Sequence, residues 1–264
     1  MTDLKEAQIE RYARHIVLQE VGGIGQEELL QAKVLVVGAG GLGSPLLMYL
    51  AAAGVGTIGL VDDDIVSLSN LQRQIAHGTP DIGRAKVDSA KDRVAALNSD
   101  VTLVPYQMRL RPDNVMGLLA GYDIIADGTD NFDTRFLLND ACFLAKKTLV
   151  SAAVLRFDGQ LSTYKAYLGP PHPCYRCIFP EPPPAGAIPS CSQGGVLGAM
   201  AGIMGTMQAT EILKEILEIG KSLSGRLLIH DGLAGEVRTI RVKPDPACAL
   251  CGEARSILDL SGHH

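Results

Sequence analysis

The chain has 264 residues, 47% of them hydrophobic, with 29 glycines, which suits one large or two small α/β domains and excludes a disordered polypeptide. A formal net charge of −5 gives no electrostatic reason to expect nucleic acid or an anionic membrane as partner. No uninterrupted apolar run approaches the ~20 residues of a membrane span. The charged opening MTDLKEAQIERYARH lacks the apolar centre of a secretory signal, so the expectation is a cytoplasmic protein. The closing HH is either native or a purification remnant and carries no weight.

LKEAQIERYARHIVLQ has apolar residues at helical spacing and predicts one helix ahead of the first strand. VLVV then runs as a strand into GAGGLG, followed by a helix to Ala53. TIGLVD predicts a second strand, GRAKVDSAKDRVAALN a helix charged on one side, DVTLVPY a third strand and YDIIADGTDN a fourth ending in a polar turn. FDTRFLLNDACFLAKK returns as helix and TLVSAAV as a buried strand. Strands alternating with helices over about the first 150 residues predict an α/β fold, a Rossmann-like and mostly parallel sheet with helices on both faces. Beyond Ser151 the pattern changes. GQLSTYKAYLG and GRLLIHDGLAGEVRTIRVK predict antiparallel strands, FPEPPPAGAIPS a proline-rich connection, and GGVLGAMAGIMGTMQATEILKEILEIG a buried helix. There is no internal repeat and no long linker, so residues 1–264 are expected to form a single domain, its nucleotide-binding half ending at about residue 150.

Gly38, Gly40 and Gly43 fit G-x-G-x-x-G directly after a strand and at the opening of a helix. The first glycine permits the tight turn, the second lets backbone N–H groups approach phosphate, and the third allows close helix packing. Asp62 follows about twenty residues later, at the end of the second strand, where a carboxylate can accept hydrogen bonds from ribose hydroxyls. The pattern implies a ribose-bearing nucleotide without saying which one. A P-loop is absent, and a proton-transfer His or Tyr-Lys pair of the kind a dehydrogenase needs is not evident. An NAD-dependent oxidoreductase is the alternative from a different class. Asn70, Arg73 and Lys86 lie just beyond Asp62, and cations there suit a longer polyphosphate than the pyrophosphate of NAD. The fourth strand ends ADGTDN, which sets Asp127 and Asp130 near the carboxyl edge of the sheet. Asp130 there can be a Mg²⁺ ligand, a cap for the next helix, or both.

Six cysteines in a cytosolic chain argue against a disulfide framework. Cys174 and Cys177 form one C-x-x-C pair and Cys248 and Cys251 another, about seventy residues on. Two such pairs complete a closed, structural Cys₄ zinc site that would clamp the middle of the chain to its C-terminal part. The rival thioredoxin-like redox reading lacks its early βαβ context. Cys142 reads as core, and Cys191 stands alone after the proline-rich segment.

RYARHIVLQEVGGIGQEELL, VLVVGAGGLGSP, VDDDIVSLSNLQRQ, GRAKVDSA, DGTDNFDTRFLLND and the two cysteine pairs occur in one order over almost the whole chain. In this the chain resembles the MoeB, ThiF and HesA adenylyltransferases and the ubiquitin-activating enzymes, the MoeB type most of all. The resemblance implies ATP as a consumed substrate. The Gly-Gly carboxylate of a small ubiquitin-like sulfur carrier attacks the α-phosphorus, and pyrophosphate leaves. The implied carrier is the small subunit of molybdopterin synthase, with the thiamine-pathway carrier as the alternative. By the same resemblance Gly41 approaches the phosphates and Asp62 holds the ribose. Asn70, Arg73 and Lys86 contact the triphosphate, Asp130 organises Mg²⁺, and Asn131 sits near the nucleotide. Arg14 reaches the ATP of a neighbouring subunit, which implies a homodimer. Cys191 corresponds to a thiol that in some relatives takes over the acyl group as a thioester or persulfide. Residues from about 151 to 264 would bind the carrier and the zinc, and a separate sulfurtransferase would supply sulfur.

Overall fold

Five short runs form the strands of the first half, buried for the most part except at the edge strand β3: β1 (Lys33–Val37), β2 (Thr57–Val61), β3 (Thr102–Tyr106), β4 (Ile124–Asp127) and β5 (Thr148–Leu155). Between them lie α4 (Gly43–Ala53), α5 (Lys86–Leu97), α6 (Pro112–Leu119) and α7 (Phe132–Leu144). This computed structural model describes residues 3–184, 186–187 and 191–263, with Cys191 and Ser192 described in their backbone only. The strands pair in the order β3-β2-β1-β4-β5, all parallel, and the sheet continues antiparallel through β6 (Asp158–Tyr164), β7 (Arg226–Asp231) and β8 (Glu236–Arg241). The expected division into a parallel Rossmann-like half and an antiparallel continuation is what the chain adopts.

Successive residues of β1 point to opposite faces, as the two-residue period requires. Val34 and Val36 join a core with Leu46, Leu47 and Leu50 of α4 and Val87 of α5. Leu35 and Val37 join a second core with Val115 of α6 and Phe136 and Leu138 of α7. A strand covered on both sides is continuously apolar rather than alternating, which is why VLVV and DIIA show no amphipathic pattern. Each fully buried Leu contributes about 1.5–3 kcal/mol by leaving water. The edge strand β8 is exposed along its whole length.

The long apolar run becomes α9 (Gly198–Leu217), lying across α4 and the strands β5 and β6. Its small residues face the glycine turn that follows β1. A Cβ on Gly205 would lie 2.4 Å from the Leu42 carbonyl oxygen, so only glycine lets the helix seat against the start of α4.

The N-terminal segment departs from the single helix its periodicity predicts. It forms α1 (Glu6–Arg11) and α2 (Ala13–Ile16), broken at Tyr12 (φ −99°, ψ 14°). The break lets Tyr12 turn into the core. Its hydroxyl accepts a bond from Asn98 Nδ2 at 2.8 Å, and its ring occupies the space a side chain at Gly54 would need. Two further helices go beyond the sequence expectation: α3 (Gly22–Gln31), whose three glycines dilute its periodicity, and the eight-residue α6. A four-residue turn of helix, α8 (Cys191–Gly194), precedes α9. Among the described residues no helix is long and apolar enough to cross a membrane.

Candidate active site

The strand order reverses between β1 and β4, and the carboxyl ends of these two strands open a crevice where ligands of such sheets bind. Gly38 leaves β1 with φ +96°, a conformation that side chains rarely adopt, and its N–H donates to the Val61 carbonyl at 2.8 Å. A Cβ on Gly43 would lie 1.8 Å from the Gly38 carbonyl oxygen, so the third glycine of the motif is a steric necessity. Between them the N–H groups of Gly40, Gly41 and Leu42 make no hydrogen bond within the described residues. They cluster at the N-terminus of α4, a helix that carries a partial positive charge there. Unsatisfied donors at such a terminus form a ready anion site.

Asp62 ends β2 beside this turn. Its Oδ2 accepts from the Ala39 N–H at 2.7 Å and its Oδ1 from the Asp64 N–H at 2.9 Å. Lys86 opens α5 with its side chain only 5% exposed, Nζ lying 2.7 Å from Asp64 Oδ2 and 4.0 Å from Asp62 Oδ1. Arg73 lies along the glycine turn. A Cβ on Gly41 would meet its Cγ at 3.3 Å and, from the other side, Ala201 of α9 at 3.3 Å. Asn70 shapes this loop: its side chain accepts from the Ser67 N–H at 3.2 Å, and its carbonyl accepts from the N–H groups of Arg73 and Gln74 at 3.1 and 3.0 Å. Gly38, Gly40, Gly41, Gly43, Asp62, Asn70, Arg73 and Lys86 are therefore brought together around one turn.

The turn after β4 divides its polar residues into two groups. Asp127 is completely buried, and its carboxylate accepts from Thr129 Oγ1 at 2.6 Å, the Thr129 N–H at 3.0 Å and Ser151 Oγ at 2.7 Å. Arg135 Nε lies 3.4 Å from it, while Nη2 of the same guanidinium donates to the Thr129 and Ala152 carbonyls at 2.9 Å. Burial alone would push the Arg135 pKa down, but Asp127 together with Tyr175 and Tyr164 outweighs it and the net direction is up. This saturated pair fixes the turn and offers nothing to a ligand. Asp130 is exposed and has no hydrogen-bond partner among the described residues. The cap of α7 is Asn131, whose Oδ1 accepts from the Thr134 N–H at 2.9 Å, and not Asp130. Within the described residues, groups of three or more metal-capable side chains occur at Asp62, Asp63 and Asp64 and at the four paired cysteines, and Asp130 belongs to neither.

Arg14 lies elsewhere. It is exposed on α2, next to Tyr12, whose ring packs at Gly54 beyond the C-terminus of α4. The glycine turn is at the other end of that helix, about 16 Å away at 1.5 Å per residue. Arg14 thus does not reach its own chain's crevice. The Cys191 side chain lies outside the described residues.

Sequence reasoning missed two residues that shape the loop. His77 is buried, with Nε2 donating to the Ala39 carbonyl at 3.1 Å and Nδ1 accepting from Ser89 Oγ at 2.9 Å. Burial holds its pKa below the ordinary histidine value, so it stays neutral and ties the turn to α5. Gln74 is the other, 3% exposed beneath Gly40. Their only sequence signal is position in the loop that carries Asn70 and Arg73.

At the far side of the molecule Cys174, Cys177, Cys248 and Cys251 converge. Their Sγ atoms are 3.4 to 3.9 Å apart where paired, against the ~3.8 Å of a tetrahedral ion with Zn–S near 2.3 Å. No disulfide joins them. The Asp245 N–H donates to Cys177 Sγ at 3.4 Å, an outer bond of the kind that supports a thiolate ligand. Arg176, between the first two cysteines, grips Asp140 of α7 with Nε and Nη2 at 2.8 and 2.7 Å and covers the Phe136 ring. Zinc fits this donor set, and Cys174, Cys177, Cys248 and Cys251 would hold it. Cys142 is core, as expected, and burial pushes its thiol well up.

Residues 12–250 match the ThiF family. The chain is 51% identical to the Bos taurus "Adenylyltransferase and sulfurtransferase MOCS3" over 261 residues, 98% of this chain and 57% of that protein. It is 46% identical to the "Sulfur carrier protein adenylyltransferase" of Thermus thermophilus, covering 93% of this chain and 92% of that one. The "SAMP-activating enzyme E1" of Haloferax volcanii is 47% identical, with 95% and 91% covered. The chain thus spans little more than half of the bovine relative. Among solved structures, E. coli MccB with ATP superposes with a TM-score of 0.77 at 20% identity, over 94% of this chain and 75% of that one, a likeness of fold. On the match over residues 12–250 and these identities, the chain belongs to the ThiF family.

Proposed function

We propose that the chain activates the C-terminal Gly-Gly carboxylate of a small ubiquitin-like sulfur carrier as an acyl-adenylate, consuming ATP. The observation that carries this reading is the meeting, at the β1/β4 crevice, of unbonded turn amides, Asp62, Arg73 and the buried Lys86. The names of its relatives, an adenylyltransferase of sulfur carriers among them, support it.

In this reading Asp62 accepts from the ribose, and the amides at Gly40, Gly41 and Leu42 receive phosphate oxygens. Asn70, Arg73 and Lys86 neutralise the triphosphate, and Asn131 stands at the mouth. The carrier's carboxylate oxygen forms a bond to the α-phosphorus. The bond from that phosphorus to the bridging oxygen breaks, and pyrophosphate leaves with the electron pair. The nucleophile is already an anion, so the chain has no proton to remove. Its task is to hold two anions together and to stabilise the charge that develops on the leaving group. Asp130, without a hydrogen-bond partner among the described residues, would hold the Mg²⁺ that neutralises phosphate charge.

Arg14 acts in trans. Its placement at the opposite end of α4 is what a two-fold axis across that helix requires, since antiparallel copies bring one chain's α2 to the other's glycine turn. Exposed Val17, Leu18, Ile24, Tyr49 and Ile203 on α2, α3, α4 and α9 and their links supply apolar surface for such a homodimer. The sulfur donor is a separate sulfurtransferase. Four of the five cysteines with described side chains are pooled in the cluster and the fifth is buried core, so Cys191 is the thiol left for any covalent acyl or persulfide step.

We assign the molybdopterin synthase small subunit as the carrier, on the MoeB-type resemblance. ATP–pyrophosphate exchange with candidate carriers added one at a time tests this. Exchange driven by that subunit supports the assignment, and exchange driven by the thiamine-pathway carrier alone moves the chain to the alternative. No exchange with any Gly-Gly-tailed carrier overturns the activity.

A further inference from the structure

Gln74 is 3% exposed, and its Oε1 is sealed from solvent without a hydrogen-bond partner. The other end of the same carboxamide, Nε2, makes no hydrogen bond within the described residues either. A buried amide ordinarily finds partners for its donors and acceptor, and one that finds none is held ready for something absent or is a defect. The surroundings distinguish these. Arg73 and Gln74 are adjacent, anchored through their N–H groups on the same Asn70 carbonyl. They lie against adjacent glycines: a Cβ on Gly41 would meet Arg73 Cγ at 3.3 Å, and one on Gly40 would meet Gln74 Nε2 at 3.9 Å. The carboxamide therefore points at the turn whose own amides at Gly40 and Gly41 are unbonded.

From this juxtaposition of a partnerless, buried carboxamide with the unbonded turn we infer that Gln74 is a phosphate-contacting residue, donating its amide N–H to the oxygen that the Gly40 amide receives. This deepens the proposed adenylylation and rests on it. A neutral donor suits that position. It orients a phosphate oxygen without adding a charge that would have to be released with AMP, and Arg73 and Lys86 remain the cations. The assignment also accounts for the unbonded Nε2 donor, which gains its partner when the anion arrives.

Calorimetric titration of the chain with Mg·ATP and with adenosine, for wild type, Gln74→Leu and Gln74→Met, tests the inference alongside thermal melting without nucleotide. Both substitutions keep the shape and remove the amide. Expected are an unchanged or raised melting temperature without nucleotide, ATP affinity weakened about tenfold or more, and adenosine affinity within about twofold of wild type. ATP affinity within about twofold of wild type in both variants overturns the assignment, as does an equal weakening for adenosine, which carries no phosphate. A fall in melting temperature in both variants with ATP affinity retained shows a packing role and also overturns it. Should wild type itself bind neither nucleotide nor nucleoside, the adenylylation reading fails, a result separable from failure of the Gln74 assignment alone.

Discussion

The nucleotide crevice and the four-cysteine cluster each join segments that are distant in sequence, yet they are built from opposite materials. The crevice is made where side chains are missing: Gly43 sits where a Cβ would be 1.8 Å from the Gly38 carbonyl, and the groups left unbonded within the described residues are backbone amides. The cluster is made of side chains alone, four sulfurs drawn from Cys174, Cys177, Cys248 and Cys251 within 4.8 Å of one another. The first is enforced by sterics inside one βαβ unit. The second would depend on an ion that neutralises thiolates and closes a long loop. In the proposed reading function and stability are separable, with chemistry at the glycine turn and much of the C-terminal part's attachment at the sulfurs.

Four substitutions would break or sharpen this contrast. The largest loss of stability is expected for Cys248→Ser, which opens the cluster. We expect metal analysis to fall from about one zinc per chain to none and unfolding free energy to drop by about 5 kcal/mol or more, while the folded fraction still binds ATP. Loss of nucleotide binding at full zinc occupancy would show that the two regions are not separable. Gly43→Ala should cost about 3–4 kcal/mol by forcing α4 away from Gly38, read by urea denaturation. A neutral result there would mean that the turn relaxes freely and sterics do not enforce it.

Lys86→Ala is expected to leave the melting temperature near wild type and to lower ATP–pyrophosphate exchange by about 10²–10³-fold, the scale of one preorganised charge-stabilising group. Exchange within a factor of two to three would remove Lys86 from the phosphate site. The smallest effect is a pH slope. His77 has its folded pKa held below its unfolded value near 6.5, so between the two the unfolded chain binds more protons. Its contribution is fully present above about pH 6.5 and is lost as pH falls toward the folded pKa, with a slope of at most ~1.4 kcal/mol per pH unit. In His77→Gln that part of the slope should vanish in denaturation measured between pH 7 and 5, and identical slopes would place the titration on other groups.

Legibility in the sequence tracks how local each feature is. Gly38, Gly40, Gly43 and Asp62 are readable because a strand, a turn and a helix follow one another within one unit and each glycine answers a local steric demand. The cysteine pairs are readable because metal chemistry fixes the residue type and the spacing. Asp127 and Asp130 look equivalent in ADGTDN, and only the fold separates the saturated partner of Arg135 from the free carboxylate at the mouth. The capping role passes from Asp130 to Asn131 by a one-residue shift that propensity does not resolve, since both residue types cap helices.

By itself the sequence determined the periodicities of the main strands and of the longer helices, the turn at Gly38 and the cysteine donor set, because these are set by neighbours along the chain. Only the tertiary structure decided that Tyr12 breaks the first helix to fill the space beside Gly54, that Arg14 lies at the end of α4 away from the crevice, and that Gln74 and His77 stand beneath the glycine turn. Those outcomes depend on which surfaces meet across the sheet. Packing between segments far apart in sequence can outweigh local preference, and a local pattern carries no record of its future neighbours.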